Sequence, residues 1–303
     1  MKLAMQFSLI AALKDIPIAC IDLETTGASA EFGHRVIEVG IVRYENGKKI
    51  AEYQQLVDPR RRIDPGVSAM TGISQAMCDG QPSFADQFDA MCAILSGAIV
   101  LGHNIRFDLS FLNREFRKCG KEIERCLENA PVLDTVRIAR RRFGRGGNSL
   151  GNLARRLGYE PPIAHRALPD AETTAIVFDR MLQPIGGWDL FLCDAMQHQG
   201  GPMNLLPVES RQPTLPLELE EALEQRRPVM MEYLDANQFR TQRVIDPIQI
   251  LRRNGELILI AHCHLRADRR TFKIERIVGM QRIEPVDQPL PSNVAAPEMG
   301  QTS

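Results

Sequence analysis

The sequence predicts an α/β fold, a mixed sheet flanked by helices, with a small antiparallel β-barrel behind it. Three observations carry that prediction. Compact apolar runs typical of strands come first and then alternate with helical patterns through residues 1–183. Composition changes over residues 184–216, where Gly186-Gly187, Gly200-Gly201-Pro202 and further prolines mark a linker. Beyond it, residues 217–286 hold short apolar runs split by turn signals, at spacings that suit a small barrel. A chain of 303 residues has room for two such domains. Residues 287–303 read as a flexible tail.

Each element follows from its local pattern. Pro17-Ile18-Ala19-Cys20-Ile21-Asp22 is a compact run of the kind found in buried strands. The next two strands, Val36 to Tyr44 and Lys49 to Val57, meet across Asn46-Gly47, the strongest short hairpin signal. Ser83-Phe84-Ala85-Asp86 has the form of a helix start, and that helix is expected to reach Leu95. A strand over Ala98 to Gly102, a helix over 107–119 and a short strand at Val132-Leu133 come next, then helices near 149–157 and 168–182. The linker holds one short helical stretch, Trp188 to Gln197. Leu217 to Arg226 is a helix with Leu219, Ala222 and Leu223 on one face. Strands over 229–234, 241–251, 257–264 and 270–274 complete the second domain, with Asp-Ala-Asn, Arg-Asn-Gly and Arg-Ala-Asp turns between them.

Hydrophobic residues make up 44% of the chain and charged ones 25%, a globular balance. No stretch approaches the roughly 18 apolar residues that a spanning helix needs, so no membrane role is expected. Met1 to Leu13 is apolar but broken by Gln6 and Ser8 and followed by Lys14 and Asp15, and reads as an amphipathic or frayed extension rather than a secretory signal. The seven cysteines are odd in number, scattered and without a Cys-x-x-Cys pair. That pattern points to a reducing cytoplasm and away from a disulfide framework or zinc site. His262-Cys263-His264 is no exception, since on a strand the cysteine faces away from its neighbours. The net charge of −1 conceals two mildly basic regions, 1–183 and 227–286, separated and followed by acidic ones.

Three ordered motifs carry the chemistry: Asp22-Leu23-Glu24-Thr25-Thr26-Gly27, His103-Asn104-Ile105-Arg106-Phe107-Asp108 and His165-Arg166-Ala167-Leu168-Pro169-Asp170. Asp22 and Glu24, two apart on a strand, leave the same face of the sheet near its C-terminal end, where open α/β sheets place ligands. Carboxylates that close repel one another until a cation neutralises them, and hard divalent ions suit oxygen ligands. Asp108 and Asp170 each open a helix and can converge on the same point, although either alone would read as a helix cap. His165, five residues before Asp170, has the pKa range of a general base for metal-bound water. Four carboxylates and one imidazole suit two divalent cations and phosphodiester hydrolysis.

Together these motifs resemble those of the DEDDh family of 3′–5′ exonucleases, the group containing the DnaQ-like proofreading subunits of bacterial replicative polymerases. The likeness spans residues 17–182 and includes Met70-Thr71-Gly72-Ile73 and Val132-Leu133-Asp134-Thr135. It implies an RNase H-like fold over 1–183 and two ions, Mg²⁺ or Mn²⁺. Asp22, Glu24 and Asp170 would hold the first ion, Asp22 with Asp108 would hold or support the second, and His165 would orient and deprotonate the attacking water. Thr25, Thr26, Asn104 and Phe107 would cradle the 3′-terminal nucleotide, with Met70 or Ile73 wedged against the last base. The expected substrate is a single-stranded or frayed DNA 3′ end, cut to 5′-mononucleotides in proofreading or repair. RNA 3′-end trimming fits the same motifs, and a nucleic-acid-sensing regulator with a vestigial nuclease site is the alternative of another class. Arg137, Arg140, Arg141, Arg142 and Arg145 either track a phosphate backbone or form a solvated face.

Residues 217–286 resemble a WYL domain, which implies a Sm- or SH3-like barrel. The matching pieces are Met231-Glu232-Tyr233, Val244-Ile245-Asp246-Pro247, His262 to Arg266 and Arg270 to Ile277, with Leu257-Ile258-Leu259 in place of the namesake triplet. The resemblance implies a basic ligand site at Arg266, Arg270 and Arg276. In the linker, Gln212-Pro213-Thr214-Leu215-Pro216-Leu217 resembles the peptides by which bacterial replication proteins dock on the sliding clamp. Gln212, Leu215 and Leu217 would be its anchors, making a clamp or polymerase a partner, while the same residues also suit the entry to the next helix.

Overall fold

The computed structural model describes residues 7–127, 130–203, 205, 215–235, 239–253 and 256–283. The first domain holds strands β1 (Ile18–Thr25), β2 (Val36–Glu45), β3 (Lys48–Leu56), β4 (Ile99–Gly102) and β5 (Val132–Asp134). Helices α1 (Pro65–Thr71), α2 (Gln75–Cys78) and α3 (Phe88–Leu95) lie between β3 and β4, and α4 (Arg106–Lys118) and α5 (Ile123–Leu127) between β4 and β5. After β5 come α6 (Thr135–Phe143), α7 (Leu150–Arg156), α8 (Ala167–Leu182) and α9 (Leu192–His198). The strands form one mixed sheet of order β3-β2-β1-β4-β5, with β1 antiparallel to β2 and parallel to β4. The Asn46-Gly47 turn has φ of 50° and 68°, the double positive of a tight hairpin. Helix α8 lies so close to β2 that a Cβ on Gly40 would stand 2.2 Å from the backbone of Ala167. Only glycine permits that approach. The resulting core includes Ile18, Ile41, Leu101, Phe116 and Phe178, all buried.

The second region is helix α10 (Leu217–Gln225) with β6 (Val229–Leu234), β7 (Arg240–Arg253), β8 (Glu256–Cys263), β9 (Asp268–Lys273) and β10 (Ile277–Arg282). Its antiparallel sheet runs β10-β6-β7-β8-β9, with β9 and β10 at opposite edges, so among the described residues the expected barrel is open. The inner face is covered instead by α10, whose Leu219 and Ala222 join Met231, Leu259 and Phe272 in a separate core. Cys263 is buried there, while His262 and His264 are exposed on the other face. None of the seven cysteines forms a disulfide.

Several elements escaped the sequence pattern. Helices α1, α2, α5 and α6 were not predicted, nor was β10, where Gly279 interrupts the apolar run. The helix expected from Ser83 begins as a 3-10 turn, Phe84–Gln87, with Asp86 accepting a 2.8 Å bond from the Ser83 N–H, and becomes α-helical only at Phe88. No helix among the described residues is long and apolar enough to cross a membrane.

The two regions are joined through both apolar and polar contacts. Val278 of β10 is buried in one cluster with Ile37, Val67 and Ile73 of the first domain. Arg140 pairs with Glu220 at 3.4 Å and Arg145 with Glu224 at 3.3 Å, while Glu221 accepts a 3.2 Å bond from the Asn148 N–H. His34 bridges the Thr26 hydroxyl at 3.2 Å and the Glu275 carbonyl at 3.3 Å.

Candidate active site

The site is built where β1 ends. Asp22 and Glu24 share one face of the strand, and a register irregularity between Glu24 and Thr25 breaks the ladder with β2 just beyond them. Asp108, in the first turn of α4, accepts a 3.1 Å bond from the Leu23 N–H, which fixes it beside both carboxylates. The turn leading into α4 places Asn104 at φ 59°, and the Asp134 carboxylate holds it by accepting from the Asn104 N–H at 3.1 Å. Asp134 also accepts from Val136 N–H at 2.8 Å and so caps α6. Asp170, in the first turn of α8, accepts from the His165 N–H at 2.8 Å, with His165 itself at φ 60°. The loop that carries the histidine is thereby tied to Asp170.

Next to this cluster stands a second acidic group with the opposite environment. Glu38 on β2 is fully buried. Arg166 donates to it from Nη2 at 2.7 Å and from Nε at 3.0 Å, and Ala167 N–H and Gln54 Nε2 add bonds of 2.9 and 2.8 Å. Burial raises its pKa, but these donors outweigh it and hold the carboxyl below its ordinary value.

The site carboxyls go the other way. Burial, followed by the charges of Asp108, Asp170 and Glu24, pushes Asp22 well above the usual carboxylate range. Glu24 rises for the same reasons, burial first and then Asp170 and Glu38. Burial raises Asp108 as well and lifts Asp170 to about 6, while it lowers the His165 imidazole. None of the four acids has a lysine or arginine within ion-pair distance among the described residues. One ligand atom each from Glu24, His165 and Asp170 lie within 4.8 Å of one another. Crowded, desolvated oxygen donors without an internal cation are the donor set that hard divalent ions fit.

All five expected catalytic residues line a single cavity of about 480 Å³, in the range of ligand pockets. Thr25, Met70, Asn104 and Phe107 line it too. Thr26 and Ile73 do not. The Thr26 side chain is buried and its hydroxyl is spent on His34 and the Arg35 N–H. Ile73 is wholly buried in the cluster beneath β10, so of the two expected wedge residues Met70 alone faces the cleft.

Other expected sites are not assembled. Arg266 lies in the β8–β9 turn and Arg270 within β9, both exposed, whereas Arg276 ends the turn past the other end of β9, so the three are spread along the strand rather than gathered. Leu217 is buried at the start of α10 and Leu215 packs half-buried on the C-terminal core, so this pair is not presented as a docking peptide. Gln212 lies outside the described residues. Arg137, Arg140, Arg141 and Arg142 lie on α6 and Arg145 just beyond it; Arg140 and Arg145 pair with α10, Arg137 donates to the Gly200 carbonyl and Arg142 to that of Met181. The Glu38–Arg166 pair and His34 were missed, although a lone glutamate inside the apolar run Val36 to Val42 was a visible signal.

The mixed sheet flanked by helices is an RNase H-like fold. The chain belongs to the Exonuclease family, whose profile matches residues 19–178, and residues 215–282 match the WYL domain. Over 166 residues it is 34% identical to the Bacillus subtilis protein named 3′-5′ exonuclease DinG, a match taking in 54% of this chain but only 17% of that protein. Over 170 residues it is 33% identical to the Treponema pallidum DNA polymerase III subunit epsilon, covering 55% of this chain and 77% of that subunit. Among solved structures, the nuclease domain of 3′hExo, a DEDDh family member bound to rAMP, superposes with a TM-score of 0.51 at 21% identity over 59% of this chain and 97% of that domain. Exonuclease I superposes with a TM-score of 0.51 at 16% identity, over 82% of this chain and 55% of that one. These structural likenesses speak to the fold.

Proposed function

We propose that the protein is a two-metal 3′–5′ exonuclease that removes 5′-mononucleotides from single-stranded or frayed DNA 3′ ends, in proofreading or repair. The observation that carries this reading is the meeting of four unpaired carboxylates and one imidazole on a single nucleotide-sized cavity. Asp22, Glu24 and Asp170 would hold one ion, and Asp22 with Asp108 the other. When bound, such ions polarise the phosphate, offset the charge developing on the leaving oxygen and acidify a bound water. His165 takes the proton of the attacking water, and its lowered pKa keeps the ring neutral and ready as a base near pH 7. Thr25, Asn104 and Phe107 seat the terminal nucleotide while Met70 bears on its base. Thr26 acts one step back, since its bond to His34 steadies the Thr26-Gly27 backbone rather than touching the nucleotide.

In proofreading the partner would be a polymerase, consistent with the subunit name of the Treponema relative. Residues 1–183 form the catalytic domain and 217–286 the appended module in this reading, with 184–216 between them. Incubating the protein with 3′-labelled single-stranded DNA and RNA, in Mg²⁺, Mn²⁺ or EDTA, tests it. Stepwise release of 5′-mononucleotides from DNA, lost in EDTA, is expected. Degradation of RNA alone would move the substrate, and intact strands in every lane would sink the reading.

A further inference from the structure

The cavity has two walls from different parts of the chain. One carries the site carboxylates. The other comes from the C-terminal region, with Leu217 and Glu218 of α10 and Gly279, Gln281 and Arg282 of β10. This second wall is held firmly. Val278 is buried beside Val67 and Ile73, and Glu220, Glu221 and Glu275 link the module to the first domain through Arg140, Asn148 and His34.

A nucleic-acid strand entering this cleft meets strong negative charge on the first wall. Ions offset it at the scissile phosphate, but the adjoining phosphates need cations of the protein. Of the described residues lining the cavity, only Arg155 and Arg282 are lysine or arginine. Arg155 spends its guanidinium on Asn152 at 2.6 Å and Glu160 at 3.8 Å. Arg282 makes no ion pair or hydrogen bond among the described residues, although the nearby Arg140 and Arg145 are both paired. Its Nη1 lies across Gly147, 3.0 Å from where a Cβ would stand, so the guanidinium occupies space left open by a glycine at φ 71°. A planar, permanently charged fork left unpaired on a cleft wall is suited to a phosphate. Glu218, on the α10 part of the same wall, has its carboxyl raised by burial and offers a phosphate no cation, which leaves the β10 side as the path of the strand.

We propose that the C-terminal module is part of the substrate channel and that Arg282 binds a backbone phosphate of single-stranded DNA away from the scissile bond, a reading that rests on the exonuclease function above. The module is then a constituent of the substrate site rather than an appendage beside it.

The test uses the full chain with Arg282→Ala and Arg282→Lys, both checked for unchanged melting. Binding of a labelled single strand of about 12 nucleotides is followed in EDTA across a NaCl titration. Arg282→Ala is expected to bind about tenfold more weakly. The slope of log affinity against log salt should fall by about 0.7, the value for one lost phosphate contact on a single strand. Arg282→Lys should keep the slope. In Mg²⁺, Arg282→Ala should raise KM for the oligonucleotide with kcat unchanged, and hydrolyse the p-nitrophenyl ester of thymidine 5′-monophosphate, which has no second phosphate, at the wild-type rate. Unchanged affinity and slope would overturn the proposal, as would equal loss on the ester, which would mean a merely structural role. Because binding is read without hydrolysis, a protein that binds through Arg282 yet cleaves nothing would sink the exonuclease reading and leave this one standing.

Discussion

Glu24 and Glu38 sit directly opposite each other in the β1–β2 ladder, on the same face of the sheet, yet they live in opposite electrostatic worlds. Glu38 is clamped by Arg166, the Ala167 N–H and Gln54, and its pKa is lowered. Glu24 looks into the cavity with Asp22, Asp108 and Asp170, without a cation of its own, and its pKa is raised. The contrast separates two uses of a buried acid. A carboxylate satisfied inside the protein positions the backbone, here the His165-Arg166-Ala167 segment that opens α8. A carboxylate left unsatisfied is a place for something from outside, because burial makes an uncompensated charge costly.

The comparison breaks most visibly at Asp22. Asp22→Asn is expected to lower exonuclease activity by more than about a thousandfold in a gel assay, since in the proposed site Asp22 would hold both ions. The same variant should melt higher than wild type in EDTA at pH 8, because one of four mutually repelling charges is gone. A lower melting temperature there would place Asp22 with Glu38 as a structural acid. His165→Ala should cost less, about 10²–10⁴-fold in kcat, the usual share of a general base, and leave activity that remains metal-dependent. Loss as complete as that of Asp22→Asn would instead make the imidazole a necessary ligand.

On the structural side, Arg166→Ala leaves the Glu38 carboxylate buried with its main partner removed. Urea unfolding should show a loss of about 3 kcal/mol, the lower end for breaking a buried pair whose arginine is partly exposed. Activity should fall with it, through displacement of His165. A gentler test varies pH. The Asp170 carboxyl titrates near 6 in the folded protein and near 3.8 when unperturbed, so the folded state holds the proton more tightly. The stabilisation is present below about pH 4 and is lost as pH rises through 6. Melting in EDTA should therefore fall over that window, and Mg²⁺ should restore more stability at pH 8 than at pH 5. A melting temperature indifferent to Mg²⁺ at pH 8 would show that the acids do not await a cation.

Local chemistry made much of the first domain legible. The apolar run before Asp22, the Asn46-Gly47 hairpin and the alternation of strands with helices are short-range patterns, and each reappears in the structure. The five residues of the site were legible for a related reason. Two positions on one strand face and two helix starts are placed by periodicity alone, and the DEDDh resemblance supplied the rest. Helix α6 was obscured by its own charge, since a run of arginines looks solvated until Glu220 and Glu224 arrive from another part of the chain.

The company each residue keeps was set by packing between distant segments. Ile73 and Met70 are alike in sequence terms, but packing against Val278 buries one and leaves the other on the cleft. β10 carries no clear strand pattern, and its order comes from pairing with β6 and docking on α1. Glu38 and Arg166 lie on different elements and meet only because Gly40 lets α8 approach β2. Which side chains can do chemistry, and which face they leave from, was legible in the chain's own pattern, because those are one-element properties. Which of them are neutralised inside the protein and which remain open to a partner was settled by contacts between distant segments, where burial and charge act through space.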